Sequence, residues 1–444
     1  MFDISVEVLT AGMIIGLLLG IATGHYLAFV LGGVSIIFGV IGWGPECLPM
    51  LVNRLFGSVL ENYVLMAVPL FILMAMFLER SGIMGDLFNV VRYLLGPING
   101  GVAVAVILVS TIFGACTGIV GASVVTMGIL ALPVMLSYGY DKKLSCGVVS
   151  SGGTLGQIVP PSIMLIFMAT QTALPVGKLF AAAIIPAILL SFLYCCYILV
   201  KCYLNKEAGP AISAEEKEMI TGPKLLKMVM KTLVPPTILI FGVLGSIFAG
   251  LATPTEAAGI GALLSVILII AYGRFSWSSL KDSVLGTAKL TSMAMFIVVG
   301  ANCFTGVFLG VGGGDVVQEF ILALGLGKWG VFAVIVIVLF VMGMFIDWIG
   351  IVLITFPIFI PIVKELGIDV LWFVTMTALV LQSSFLTPPF GYSLFFLKGV
   401  APKEITMNHI YVGIIPFCAA IFIAILVCAI CPQIVTWLPA VLVK

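Results

Sequence analysis

The chain has 444 residues, of which 62% are hydrophobic and 9% are charged, and its formal net charge is +1. Soluble domains carry about 25% charged residues, so this composition excludes an ordinary soluble protein, and the near-neutral charge offers no basic surface for nucleic acid. Apolar runs such as 11–42 and 409–431 are long enough to cross roughly 30 Å of hydrocarbon. We therefore predict an all-α polytopic membrane protein.

Residues 1–60 are predicted to form N-terminal scaffold helices and an interfacial arm. The first ten residues contain no basic side chain, so no cleaved signal peptide is expected and the first apolar run is interpreted as a retained helix. Segment 44–58 mixes tryptophan-anchored polar and apolar residues, as helices at a membrane surface do. A disulfide between Cys47 and Cys431 is left open.

Residues 61–200 are predicted to form a first repeat, with a re-entrant hairpin over 97–138 and a broken helix over 143–171. The hairpin turn is indicated by glycines and hydroxyls in 112–125. The break is indicated by Pro160-Pro161, because proline lacks the backbone N–H of a helix. The carbonyls of Gly156 and Gln157 should lose their helical donors there, with Val159 close by.

Residues 201–285 are predicted to comprise a cytoplasmic loop, scaffold helices and a second arm. Lysines concentrate in 201–231, which places this loop in the cytoplasm by the positive-inside rule. Thr253, Pro254 and Glu256 have the spacing of a capping box with proline in the first helical turn. Segment 275–285 resembles the first arm.

Residues 286–431 are predicted to form a second repeat, with a hairpin over 329–364 and a broken helix over 368–397, followed by a C-terminal tail at 432–444. Asp347 lies at the hairpin turn, in an apolar segment. A carboxylate at membrane depth is costly and indicates function, and here it fits both a helix cap and a cation ligand. Pro388-Pro389 should free the carbonyls of Ser384 and Phe385, and Thr387 adds a hydroxyl.

The two halves are related by a constant spacing. Pro160 and Pro161 recur 228 residues later as Pro388 and Pro389, and the same spacing relates four further pairs. These pairs are Gly82 and Gly310, Gly85 and Gly313, Pro133 and Pro361, and Asp141 and Asp369. Alternating spans outward from the cytoplasmic loop puts fifteen of the 20 lysines and arginines inside and both termini outside. The repeats would then be inverted, and their matched breaks point to a transporter's binding site.

Direct use of ATP or hydrolytic chemistry is not expected. The spans contain no Ser-His-Asp set, no paired carboxylates and no phosphate-binding loop. His25 and His409 lie near helix ends, where solvated or capping roles are expected. An enzyme is therefore not predicted, and no cofactor is expected beyond coupling ions.

Five motifs resemble the large membrane subunit of TRAP (tripartite ATP-independent periplasmic) transporters, the DctM-like family. They are GIVGASVVTMG (118–128), GTLGQIVPPSI (153–163), ATPTEAAG (252–259), MGMFIDW (342–348) and SFLTPPFG (384–391). The resemblance implies an elevator-type sodium symporter in the bacterial or archaeal inner membrane. It also implies a small four-helix membrane subunit and a periplasmic substrate-binding protein as partners, alongside membrane lipid.

The resemblance further implies two sodium sites. One uses Thr117 with the backbone oxygens of Gly156, Val159 and Pro161. The other uses Asp347 with Thr387 and the backbone oxygen of Phe390.

The expected substrate is a small organic acid bound between the hairpin turns, near Ser123 and Ser162. Similarity to one subgroup suggests an oxo-acid, mannitol-like or chloroaromatic compound. Two alternatives remain: a carrier that works without a binding protein, and an intramembrane enzyme or channel, which the missing catalytic sets and the dead-end hairpins disfavour.

Overall fold

The structure is a computed structural model that describes residues 5–118, 120–212, 222–389 and 391–443, with side chains at all of these except 116, 117 and 223–225. This part of the chain contains helices and turns but no strand, and nine of its helices are long and apolar enough to cross a membrane. The predicted all-helical membrane architecture is therefore confirmed.

The described residues before 213 contain ten α-helices. They are α1 (Val6–Ala22), α2 (Leu27–Trp43), α3 (Cys47–Leu55), α4 (Ala67–Arg80), α5 (Ile83–Leu95), α6 (Gly101–Thr117), α7 (Val120–Ser137), α8 (Lys142–Thr154), α9 (Ile163–Thr172) and α10 (Val176–Leu204).

The described residues from 222 onward contain eleven α-helices. They are α11 (Gly222–Thr232), α12 (Val234–Phe248), α13 (Pro254–Ala271), α14 (Trp277–Gly310), α15 (Gly313–Ala323), α16 (Gly327–Gly343), α17 (Trp348–Glu365), α18 (Val370–Ser384), α19 (Tyr392–Val400), α20 (Met407–Ile430) and α21 (Gln433–Leu442).

Most helices pack in one of two groups. The flanking group comprises α1–α4 and α12–α14, which pack mainly on one another. The hairpin group comprises α6–α10 and α16–α21 and contains two helix pairs, α6–α7 and α16–α17, each followed by an interrupted helix. The groups meet where α17 packs on α14 and where α6 packs on α4.

The two helix pairs enter from opposite ends of the molecule. Next to the base of the first pair, Lys142 forms an ion pair with Glu404 at 2.7 Å, just before α20 begins. Next to the base of the second pair, the Trp372 indole donates to the carbonyl of Cys428 at 3.1 Å, near the end of α20. Because α20 spans 24 residues, or about 36 Å at 1.5 Å per residue, the two bases lie far apart.

Short helices α5 and α15 connect the two groups, and each begins after a glycine with positive φ. Gly82 has φ 67° and Gly312 has φ 88°, a region that favours glycine. The spacing between these two caps is 230 residues, so the cap equivalent to Gly82 is Gly312 rather than Gly310. By contrast, Asp141 and Asp369 both cap their helices at the predicted spacing of 228.

Two predicted segments differ from the structure. The second arm at 275–285 is not a separate helix, because α14 runs unbroken from a Ser276 cap to Gly310 with no proline inside it. The C-terminal tail at 432–444 is largely the helix α21, which packs on α10 and buries Val435 and Pro439. Both errors arise because short segments were assigned from their local composition, whereas their packing partners are distant in the sequence.

Two smaller predictions are resolved. The capping box at Thr253 is confirmed, with the Glu256 carboxylate accepting from the Thr253 N–H at 2.7 Å. Cys47 and Cys431 are both free thiols, the first buried and the second exposed, so no disulfide joins them.

Substituting Gly147→Val should destabilise the hairpin group. A Cβ at Gly147 would overlap the carbonyl of Gly413 on α20, whereas a Cβ at Gly242 in α12 would meet nothing within 4 Å. Overpacking of this kind costs about 1–3 kcal/mol, so the midpoint of thermal unfolding in nanodiscs should fall for Gly147→Val and stay unchanged for Gly242→Val. Equal midpoints for the two variants would contradict this packing.

Candidate functional site

The turn of the first helix pair lies against the first helix break. A Cβ at Gly114 would overlap the Cα of Gly156, so only glycines permit this approach. A Cβ at Gly118, which ends α6 with φ 59°, would lie 3.3 Å from the Ile163 nitrogen and 3.7 Å from the Pro161 oxygen. The sequence predicted this pairing of hairpin turn and broken helix.

The first break leaves backbone oxygens without donors. The helical donors for the Gly156 and Gln157 carbonyls would be the nitrogens of Pro160 and Pro161, which carry no hydrogen. The Ser162 hydroxyl donates to the Gln157 carbonyl. Within the described residues, no backbone or side-chain group donates to the carbonyls of Gly156, Val159 or Pro161.

Three carbonyl oxygens without donors in the described residues fit a hard cation. A buried carbonyl without a partner costs free energy comparable to a lost hydrogen bond, and cations of the hard class take oxygen ligands. Gly156 and Pro161 are buried and Val159 is half-buried, so water reaches this site poorly. The Thr117 side chain, predicted as the hydroxyl ligand, lies outside the described residues.

The turn of the second helix pair carries Asp347. Its carboxylate caps α17, accepting from the Ile349 N–H at 3.3 Å, and the side chain is half-buried. The predicted capping role is therefore confirmed, and it leaves further carboxylate lone pairs free for a cation. A Cβ at Gly343 would overlap the Ser384 side chain, so this turn also lies against its own helix break.

The second break is satisfied differently from the first. The Ser393 N–H donates to the Phe385 carbonyl at 3.2 Å, and the Thr387 N–H approaches the Ser384 carbonyl at 3.4 Å. The Thr387 hydroxyl donates to the Ser383 carbonyl, which leaves its oxygen lone pairs available. Phe390, predicted as a backbone ligand, lies outside the described residues.

The two breaks are linked through buried contacts. The Phe167 ring in α9 packs edge-on against Trp348, next to Asp347, with ring centroids 5.7 Å apart. The Ser393 hydroxyl donates to the Ser150 carbonyl in α8 at 2.8 Å, in a buried position. The predicted ion-site segments therefore form one connected cluster.

The two predicted substrate contacts are buried rather than open to a cavity. Ser123 is 1% exposed and Ser162 is 0% exposed. The Ser162 hydroxyl is engaged at the break, where it also accepts from the Leu165 N–H at 3.4 Å as the cap of α9.

An open cavity of about 620 Å³ lies next to Asp347 instead. His25 and Tyr26, from the turn between α1 and α2, line it together with Ser292 of α14 and Tyr392 of α19. Sequence reasoning assigned His25 only a solvated or capping role. The residues around His25 in the sequence carry no signal of a cavity, because the proximity of His25 to Asp347 depends on how the flanking group packs against α17.

The described residues hold no cluster of three His, Cys, Asp or Glu side chains able to bind a transition metal. They do include Gln382, which is fully buried and whose side-chain oxygen and nitrogen both lack a partner in the described part of the chain. Such groups are normally satisfied by water or a ligand. Its polar side chain directly after an apolar run was a signal from which sequence analysis could have singled it out.

Residues 8–434 match the family model described as Tripartite ATP-independent periplasmic transporter, DctM component. The chain is 31% identical over 370 residues to the C4-dicarboxylate TRAP transporter large permease protein DctM of Pseudomonas aeruginosa, covering 83% of this chain and 84% of that one. It is 32% identical over 337 residues to the ectoine/5-hydroxyectoine permease UehC of Ruegeria pomeroyi, covering 74% and 76%.

Two further proteins are similar to this chain, one over part of its own length and one mainly in its fold. The isethionate TRAP transporter permease protein DctMQ of Oleidesulfovibrio alaskensis is 27% identical over 86% of this chain, which spans only 60% of that protein. The YdaH transporter of Alcanivorax borkumensis shares the fold, with a TM-score of 0.62 at 14% identity, covering 90% of this chain and 95% of that one.

Replacing Ser162 with alanine should weaken the first break. The change removes the donor to the Gln157 carbonyl and the cap of α9, so stability should fall by about 1–3 kcal/mol. Ser137→Ala is the matched control, because its hydroxyl bonds only to the Val134 carbonyl at an exposed helix end. Thermal unfolding in nanodiscs measures both, and a Ser162→Ala midpoint no lower than that of Ser137→Ala would show that the hydroxyl is dispensable.

Proposed function

The chain belongs to the DctM family and is the large permease subunit of a TRAP transporter, and we propose that it imports a small organic acid together with sodium ions. The family members it resembles are membrane permeases rather than enzymes. The observation that carries the proposal is the set of three carbonyls at the first break, those of Gly156, Val159 and Pro161, to which no group in the described residues donates.

Sodium is the proposed coupling ion because the cluster offers oxygen ligands alone. One proposed site joins Thr117 to the backbone oxygens of Gly156, Val159 and Pro161. The other joins Asp347 to Thr387 and the backbone oxygen of Phe390. Each site combines a hairpin turn with a helix break, so binding the ion would hold the two together.

An elevator movement is proposed from the two groups of helices. The ion-site segments all belong to the hairpin group, and the flanking group would serve as the fixed scaffold. The first repeat (61–200) and the second (286–431) supply the hairpin group apart from α21, and each also contributes to the scaffold, through α4 in the first repeat and part of α14 in the second. The groups touch through small residues, for example Gly350 of α17 against Leu27 of α2, which suits a sliding contact.

The proposed partners are a small four-helix membrane subunit and a periplasmic binding protein. The isethionate relative is named DctMQ, and this chain spans 60% of it, which supports a second membrane component as a partner. The flanking group exposes apolar side chains such as Leu18, Ile36 and Phe241, which suit contact with that subunit and with lipid.

The relatives' names support an organic acid as substrate, since they include C4-dicarboxylate, sialic acid and isethionate, although ectoine also occurs. Residence in the inner membrane fits the family. Arg80–Asp282 and Arg274–Asp86 are ion pairs between neighbouring helix ends, so these residues lie on one side, as the proposed topology with both termini outside requires.

Replacing Asp347 with asparagine should abolish sodium coupling. The amide keeps the shape and a capping oxygen but removes the charge, and losing a charge-assisted ligand costs about 1.5–3 kcal/mol, or about tenfold or more in uptake. Uptake driven by a sodium gradient is measured in proteoliposomes supplied with both partner proteins.

Asp369→Asn is the matched control. Asp369 also caps a helix, accepting from the Trp372 N–H at 2.7 Å, but it lies at the far end of α18 from the break. The control should retain sodium-driven uptake. If Asp347→Asn and the control transported equally, Asp347 would not be a coupling ligand.

A cross-link between the two groups should stop transport. Leu27→Cys with Gly350→Cys, in a background without the ten native cysteines, joins α2 to α17. Oxidation should lower uptake by about tenfold, and reduction should restore it. Tyr63→Cys with Thr255→Cys joins residues whose oxygens lie 3.2 Å apart within the flanking group, and this pair should transport whether oxidised or reduced. Full activity of the oxidised first pair would refute the elevator.

A further inference from the structure

The cavity beside Asp347 has walls from both groups of helices. The flanking group contributes His25, Tyr26 and Ser292, and the hairpin group contributes Asp347 and Tyr392. Its volume of about 620 Å³ falls within the range of about 300–1,000 Å³ that is typical of small-molecule sites. It adjoins the second helix break, because Tyr392 begins α19 directly after Gly391.

The cavity wall is mainly aromatic and aliphatic. The Tyr26 and Phe29 rings pack edge to face with centroids 6.5 Å apart, and Phe29 packs against Phe296 at 6.2 Å. Phe345 adds a further ring to the lining, two residues before Asp347. Walls of this kind bind an apolar body by removing its surface from water.

The polar groups in the cavity are few. Among its described lining residues there is no lysine and no arginine, and the titratable side chains are His25, Tyr26, Asp347 and Tyr392. His25 is exposed to the cavity. A histidine ring donates a hydrogen bond in either protonation state, so His25 is the strongest candidate partner for one carboxylate.

We infer that this cavity is the substrate site and selects a monocarboxylate with an apolar body, with His25 contacting the carboxylate. The inference rests on the proposed transport function and narrows its substrate class. A second carboxylate would meet no lysine or arginine among the described lining residues, only hydroxyls such as that of Ser292, apolar walls, and Asp347, which repels it. A polyol would leave most of its hydroxyls facing apolar walls without partners.

Sodium bound at Asp347 would strengthen the binding of an anion in this cavity. The carboxylate of Asp347 and that of the substrate share one cavity, so they repel each other until a cation offsets the first charge. Substrate binding should therefore depend on sodium, and the dependence should be lost in a variant without the Asp347 charge.

Thermal unfolding of the chain in nanodiscs tests the inference with four probes of differing chemistry. The probes are benzoate, benzamide, succinate and mannitol, each in sodium chloride and in potassium chloride. Benzoate in sodium chloride should raise the unfolding midpoint saturably. Benzamide, which keeps the ring without the charge, should give a much smaller rise, and succinate and mannitol should give none.

His25→Ala should weaken the apparent benzoate affinity by about tenfold. His409→Ala is the matched control, because His409 caps α20 by accepting from the Thr406 N–H at 3.2 Å and lies outside the cavity. A succinate effect as large as that of benzoate, or an unchanged benzoate affinity in His25→Ala, would overturn the inference.

Measuring the effect of sodium without a probe separates failure of the substrate inference from failure of the transport proposal. If sodium alone stabilises the chain and Asp347→Asn removes that effect, the ion site stands whatever the probes show. If sodium has no effect on the chain, the proposed coupling fails first. A benzoate effect on the unsubstituted chain that is equal in sodium chloride and in potassium chloride would indicate partitioning into lipid, and it would overturn the assigned cavity.

Discussion

The unpaired backbone oxygens at the double prolines are the constraint on which the rest of this structure depends. In an apolar surrounding every carbonyl needs a partner, and Pro160 and Pro161 remove two donors from one helix. A serine hydroxyl satisfies one carbonyl, that of Gln157. The others remain, and the Gly114–Gly156 approach closes a hairpin turn over them. The glycines, the hairpin and the break are therefore parts of one arrangement that a cation would complete.

At the second break, the freed carbonyls have different partners from those at the first. Its freed Phe385 carbonyl is satisfied by the Ser393 N–H, and a carboxylate, Asp347, stands at the facing turn. The first site is thus neutral and enclosed, while the second carries charge and opens onto a cavity. An ion in the proposed first site would stabilise backbone geometry, whereas an ion in the proposed second site would also change the potential felt by any anion in the cavity.

Much of this arrangement was predictable from the sequence, because proline, glycine and isolated carboxylates act locally. Pro160, Asp347 and Thr253 each impose a break or a cap that requires no knowledge of neighbours, and each lies where predicted. The continuous α14, the packed helix α21 and the cavity role of His25 depend on contacts between distant segments. A capping aspartate can be identified from four residues, but a histidine facing a cavity requires the whole fold.

The different roles proposed for the hairpin group and the flanking group follow from where their polar residues lie. The proposed ion ligands belong to turns and breaks of the hairpin group, while His25 and Ser292 belong to the flanking group. A ligand held between them contacts both groups, so its binding energy depends on their relative position. If the hairpin group slides while the flanking group stays in place, the anion loses its contact with His25 as the ions remain bound. That movement would weaken substrate binding without requiring a change in the ion sites, which is how one rigid-body step can both carry and release a substrate.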